Sequence, residues 1–147
     1  MHPVSRSYPR TANVAIGRTR IHCVIRIGNR MRTIAVIDDN PSMLQGLDRL
    51  LSAHGFRVQA FPSAESFLDD IANCEADCLL LDIHLGGMSG IDLKRRLKSS
   101  DRCMPVIFMT AIHNEATRQE AFEVGCVAYL RKPFLAKLLI DAINTVP

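Results

Sequence analysis

Asp82 closes the run Cys78-Leu79-Leu80-Leu81-Asp82, in which apolar and thiol residues give way abruptly to a carboxylate. The same event occurs upstream, where Thr33-Ile34-Ala35-Val36-Ile37 runs into Asp38-Asp39. Thr110 follows the apolar residues 105–109, and Lys132-Pro133 follows residues 127–130. If these runs are parallel strands, their C-terminal ends share one rim, where open α/β sheets place ligands. Three carboxylates on one rim repel one another unless a cation joins them. A carboxylate can act as a nucleophile toward phosphorus, and Mg²⁺ prefers one or two carboxylates plus water and phosphate oxygens. A lysine and a hydroxyl can take up charge on the transferred group. The set therefore predicts a Mg²⁺-dependent phosphoryl acceptor, with Asp82 accepting and Lys132 and Thr110 on phosphoryl oxygens. Asp39 is the expected direct metal ligand, Asp38 acts directly or through water, and Asp82 is shared between metal and phosphoryl group. Removing Lys132 is expected to damage signalling more than folding.

Each residue alone also has an ordinary reading. Asp38 or Asp39 could cap the helix that starts at Pro41. Thr110 could be a strand-end hydroxyl and Lys132 a solvated charge. Asp82 is harder to explain away, because burying an unpartnered carboxylate is costly.

The elements that would position these groups alternate between short apolar runs and amphipathic stretches. Strands are predicted at 33–37, 57–61, 78–81, 105–109 and 127–130. After the first strand, Leu44, Leu47, Leu50 and Leu51 recur at helical spacing, and His54-Gly55 ends that helix. Ser63 is the expected N-cap of a helix burying Ala64, Phe67, Leu68 and Ile71. Gly86-Gly87-Met88-Ser89-Gly90 reads as a flexible loop before a helix carrying Leu93 and Leu97. Asn114 caps the next helix and Gly125 ends it. Leu135, Leu138, Leu139, Ala142 and Ile143 give the last helix an apolar stripe. Five such units predict a doubly wound α/β fold, a five-stranded parallel sheet in the flavodoxin-like order 2-1-3-4-5 with helices on both faces.

With 147 residues, 48% of them hydrophobic, the chain suits one domain with a real core. No apolar run reaches the ~18–20 residues that span a bilayer, which predicts a cytoplasmic protein without membrane partners. The net charge of +3 hides an asymmetry. Residues 1–30 hold six arginines and no acid, whereas residues 31–147 carry a net −3. The globular part is mildly acidic, so the overall charge does not argue for nucleic acid. Residues 1–30 are expected to be a disordered basic extension, with the domain beginning at Met31. Cys23, Cys74, Cys78, Cys103 and Cys126 lack zinc-ligand spacing and read as free thiols.

The chain resembles the receiver domain of two-component response regulators over residues 31–144. The resemblance rests on Val36-Ile37-Asp38-Asp39-Asn40, Leu80-Leu81-Asp82-Ile83-His84-Leu85, Gly87-Met88-Ser89-Gly90, Met109-Thr110-Ala111 and Lys132-Pro133-Phe134. It implies that Asp82 accepts a phosphoryl group from a phosphohistidine of a sensor histidine kinase or phosphotransfer protein. It also implies Mg²⁺ on Asp38, Asp39 and Asp82, assisted by the backbone carbonyl of His84, whose ring is expected to face solvent. A cis Lys132–Pro133 bond is implied, as is a switch in which Thr110 moves toward the phosphoryl group and Tyr129 changes its burial. The remodelled face would be the fourth helix, fifth strand and fifth helix, a candidate homodimer surface. Within the family, the residues around Lys132-Pro133-Phe134 look most like receivers that precede a helix-turn-helix output domain. With no such module after Ile143, the expectation is a stand-alone receiver acting by protein contact on a downstream partner, without direct DNA binding. Its only chemistry would be self-phosphorylation and autodephosphorylation.

Three other classes compete. A pseudo-receiver would use the same surface without phosphorylation, but the intact Asp39, Asp82, Thr110 and Lys132 set argues against it. An FMN-binding flavodoxin-like protein would place phosphate against Asp38-Asp39-Asn40-Pro41, which is acidic. A phosphatase with an Asp nucleophile on the first strand would want a second Asp two residues on, where Asn40 stands.

Overall fold

The computed structural model describes residues 31–100, 102 and 104–147. The basic extension at residues 1–30, with Cys23, and Cys103 lie outside the described residues. The strands are β1 (Thr33–Ile37), β2 (Arg57–Phe61), β3 (Cys78–Asp82), β4 (Val106–Thr110) and β5 (Ala128–Arg131). The helices are α1 (Pro41–Ala53), α2 (Ala64–Asp69), α3 (Gly90–Ser99), α4 (Glu115–Glu123) and α5 (Ala136–Asn144). All strand pairs are parallel, in the order β2-β1-β3-β4-β5.

Strands β1, β3 and β4 are buried along their whole length. They read as unbroken apolar runs because helices cover both faces. Side-chain alternation divides them between two cores. Ala35, Ile37, Leu79, Leu81 and Phe108 pack with Phe67, Leu93, Leu97 and Ala121 from α2, α3 and α4. Ile34, Val36, Leu80, Ile107 and Met109 pack with Leu47, Leu51, Leu139 and Ile143 from α1 and α5.

The helix boundaries follow local chemistry. Asn40 caps α1 by accepting from the Ser42 and Met43 amides, and Pro41 sits in its first turn. Ser63 and Ser66 form a reciprocal capping box on α2, and Asn114 caps α4. Gly55 (φ 87°) and Gly125 (φ 89°) take the left-handed conformation that ends α1 and α4. Arg32 donates to the Ile143 and Val146 carbonyls at 3.3 Å each, tying the residue before β1 to the C-terminal end of α5.

Several expectations shift. Ile71 belongs to a short 3-10 turn, Ile71–Asn73, because α2 stops at Asp69. In α5, Leu139 and Ile143 are buried, but Leu135 and Leu138 are 71% and 52% exposed. Leu135 is the N-cap of α5 and precedes its first turn, so the apolar stripe is narrower than its leucines suggest. The glycine loop is also less free than its composition implies. Ser89 caps α3, and Gly90 is buried as the first helical residue.

A side chain at Gly90 would collide with the Asp82 carbonyl oxygen and approach Ile83 Cα at 3.0 Å. Backbone cannot move aside cheaply, so Gly90→Ala should cost about 2–3 kcal/mol in urea unfolding. Gly46, within α1, has open space where a Cβ would stand, with nothing closer than 4 Å. Gly46→Ala should therefore gain about 0.5–1 kcal/mol from backbone entropy, a control that separates the clash from any general effect of adding a methyl group.

Candidate functional site

Register brings the acids together. Ile37 pairs with Leu81, so Asp38 and Asp82 are the next residues along on adjacent strands. Both share the side-chain parity of Val36 and Leu80, which face the α1 and α5 core. Lys132 shares the parity of Leu130 in that same core, just past β5. Its amide donates to the Thr110 carbonyl at 2.8 Å, holding the loop after β5 against the end of β4.

Lys132 Nζ donates to Asp38 Oδ2 at 2.7 Å and to Asp82 Oδ2 at 3.2 Å. Asp38 is fully buried and Asp82 is 5% exposed. Their other oxygens hold the loops: Asp38 Oδ1 accepts from the Asn40 amide at 2.9 Å, and Asp82 Oδ1 from the His84 amide at 3.1 Å. Capping of α1 falls to Asn40, which leaves Asp39 exposed and without a hydrogen bond among the described residues. One oxygen from each of Asp38, Asp39 and Asp82 lies within 4.8 Å of the others. The Lys132–Pro133 bond is cis.

Burial pushes the Asp82 carboxyl above the usual aspartate range, Lys132 pulls it down, and Asp38 pushes it up again. The net direction is upward: Lys132 does not fully compensate the charge. For Lys132, burial acts downward, but its hydrogen bond to Asp38 and the charges of Asp82 and Asp38 outweigh it and hold the ammonium above its ordinary value. Two buried acids, one exposed acid and one lysine leave a net negative pocket of hard oxygen donors. That chemistry suits a small divalent cation.

Thr110 is 1% exposed at the end of β4. Its hydroxyl donates to the Ile112 carbonyl at 3.0 Å and accepts from the Ile112 amide at 3.1 Å. His84 is exposed, but its ring does not simply face solvent: Nδ1 lies 3.1 Å from Thr110 Oγ1, a contact that nothing in the local sequence signals. Tyr129, on β5, is half-buried beside Phe122 of α4, with ring centroids 6.2 Å apart. Its hydroxyl is buried without a hydrogen-bond partner among the described residues, and burial raises its pKa.

Sequence reasoning also missed Glu65. This first-turn residue of α2 accepts the Met88 amide at 2.8 Å, and that hydrogen bond lowers its pKa. A side chain at Gly87 would come within 2.6 Å of the same carboxylate. Glu65 thus braces the loop after β3 from 23 residues away, a pairing that no local spacing encodes.

The model of the response regulator receiver domain matches residues 34–144. The chain belongs to that family. The response regulator protein TmoT of Ectopseudomonas mendocina is 33% identical over 112 residues, covering 76% of this chain and 51% of that protein. The transcriptional regulatory protein FixJ of Bradyrhizobium diazoefficiens is 36% identical over 101 residues, covering 69% and 49%. The receiver spans about half the length of these curated relatives. A solved receiver domain from Clostridium thermocellum is 32% identical with a TM-score of 0.74, covering 79% of this chain and 94% of its own. A chemotaxis protein of Vibrio cholerae, CheY4, at 22% identity and a TM-score of 0.73, shares the fold, with 80% and 100% covered. This receiver is thus a two-component signalling domain, a family consistent with phosphorelay. Among the described residues, no helix is long and apolar enough to cross a membrane.

Proposed function

We propose that this receiver accepts a phosphoryl group on Asp82 from the phosphohistidine of a sensor histidine kinase or phosphotransfer protein. The observation that carries the reading is Lys132 Nζ bridging Asp38 and Asp82 at 2.7 and 3.2 Å beside the open carboxylate of Asp39. An Asp82 carboxylate oxygen forms the new bond to phosphorus as the bond from phosphorus to imidazole nitrogen breaks. Lys132 already stands beside Asp82 and neutralises charge where the equatorial oxygens gather it. The donor set fits Mg²⁺: Asp39 offers free lone pairs, Asp38 and Asp82 complete the acidic cluster, and the His84 carbonyl assists. When bound, Mg²⁺ would supply charge neutralisation of the phosphoryl oxygens.

Thr110 and Tyr129 are the proposed switch, with Pro133 shaping the neighbouring loop. An orphaned hydroxyl costs about 1–3 kcal/mol, so Tyr129 gains by any rearrangement that pairs it. Helix α4 buries only Ala121 among its residues, which makes it the weakly held element such a switch could move. The output would pass by protein contact through α4, β5 and α5, to a downstream partner or a second copy. The receiver would be a cytoplasmic signalling device whose only chemistry is its own phosphorylation and dephosphorylation.

Incubation with acetyl phosphate and Mg²⁺, read by intact mass, tests the reading. Wild type should gain one phosphoryl group. A wild type that stays unlabelled would overturn the reading and favour an interaction module that works without phosphorylation.

A further inference from the structure

His84 is bonded at both ends to groups of the proposed acceptor site. Its amide donates to Asp82 Oδ1 at 3.1 Å, and its ring Nδ1 lies 3.1 Å from Thr110 Oγ1. A threonine hydroxyl has one proton and two lone pairs. In this receiver three neighbours claim them: the Ile112 carbonyl at 3.0 Å, the Ile112 amide at 3.1 Å, and the His84 ring. Whichever of the Ile112 carbonyl or the ring nitrogen receives the proton, that proton is committed to the loop. To donate to a phosphoryl oxygen, Thr110 must first give up a bond it already makes.

We infer that His84 is a positioning residue whose ring latches the Thr110 hydroxyl in the unphosphorylated receiver and slows acceptance of the phosphoryl group. The latch rests on the proposed phosphorylation of Asp82. A ring bond that is present before transfer and lost afterwards stabilises only the resting state, so it lowers the fraction of molecules ready to react. The loss of one neutral hydrogen bond changes such a population by about fivefold. His84 is exposed and on a loop, so replacing it leaves both cores intact.

The test is the initial rate of acetyl phosphate labelling, with Mg²⁺, in wild type, His84→Ala, His84→Asn and each in a Thr110→Val background. His84→Ala should label about fivefold faster. His84→Asn places an amide near the position of Nδ1 and should return the rate to near wild type. In the Thr110→Val background, His84→Ala should change nothing, because the latch has lost its partner. Equal acceleration by alanine and asparagine would overturn the latch, showing a ring that merely blocks entry. So would an unchanged rate in His84→Ala, or an effect that survives Thr110→Val, and either result would leave phosphorylation of Asp82 standing. An unlabelled wild type would overturn both.

Discussion

Lys132→Ala should lose two things at once: about 10²-fold or more in the rate of Asp82 labelling, and about 3 kcal/mol of stability in metal-free buffer. The rate loss follows from removing a preorganised cation from the place where charge accumulates. The stability loss follows from burial. Lys132 Nζ is 2.7 Å from a fully buried Asp38 and 3.2 Å from Asp82. Taking away one partner of a buried ion pair strands the other charge, which is typically worse than never having built the pair. The sequence alone suggests that Lys132 matters more for signalling than for folding; the buried geometry adds a folding cost comparable in importance. Its pH dependence has a definite sign. Lys132 is held above its ordinary value, so its contribution is complete below the ordinary lysine range and disappears as pH rises through the elevated one. The gap between wild type and Lys132→Ala in urea midpoints should therefore narrow in strong alkali. Added Mg²⁺ should restore part of the variant's stability without restoring its labelling rate. A variant as stable as wild type without metal would show that the pair is not structural.

Asp82→Asn should accept no phosphoryl group while making the metal-free protein more stable. The carboxylate is buried, its pKa is raised chiefly by that burial, and Asp38 adds to the rise. An amide keeps the shape without the charge, and relieving a functional site of this kind commonly gains about 1 kcal/mol, or a few degrees in Tm. Because the folded-state pKa lies above the unfolded value, near 3.8, native Asp82 binds its proton more tightly than the unfolded chain does. Its contribution to stability is present below that value and is lost as pH rises through the raised one. The advantage of Asp82→Asn should be absent in acid and grow as pH climbs above about 4. In Mg²⁺ the order should reverse, because binding to the native state stabilises wild type in proportion to metal concentration over Kd. Thermal melts across pH, with and without Mg²⁺, would expose all three signs. A variant less stable than wild type at neutral pH without metal would contradict the electrostatic account.

Legibility in the sequence followed the range of the interactions. The buried strands β1, β3 and β4 were plain because their unbroken apolar runs end in polar residues. The caps at Ser63 and Asn114 were plain because capping is settled within four residues. The candidate acids were legible for the same reason, since strand parity and strand ends are local properties. What could not be read was set by contacts across the fold. The capping of α1 by Asn40 is local, with Pro41 in the first turn, but the pairing of Asp38 with a lysine 94 positions away is not. The His84 ring contact with Thr110 spans 26 positions, and the brace from Glu65 to Met88 spans 23. The exposure of Leu135 and Leu138 shows the converse: an apolar residue near a helix end can follow the spacing and still miss the core.

Arg32 ties the start of β1 to the end of α5. In a parallel sheet this is the pole opposite the strand ends that carry Asp38 and Asp82. Polypeptide entering at residue 32 and leaving at residue 146 therefore passes through the same distal pole. An affinity handle or reporter protein joined just after the end of α5 is therefore attached on the side of the domain away from the acidic rim. A module joined there would stand away from the acidic rim, and a change at that rim would reach it through the flank of the domain.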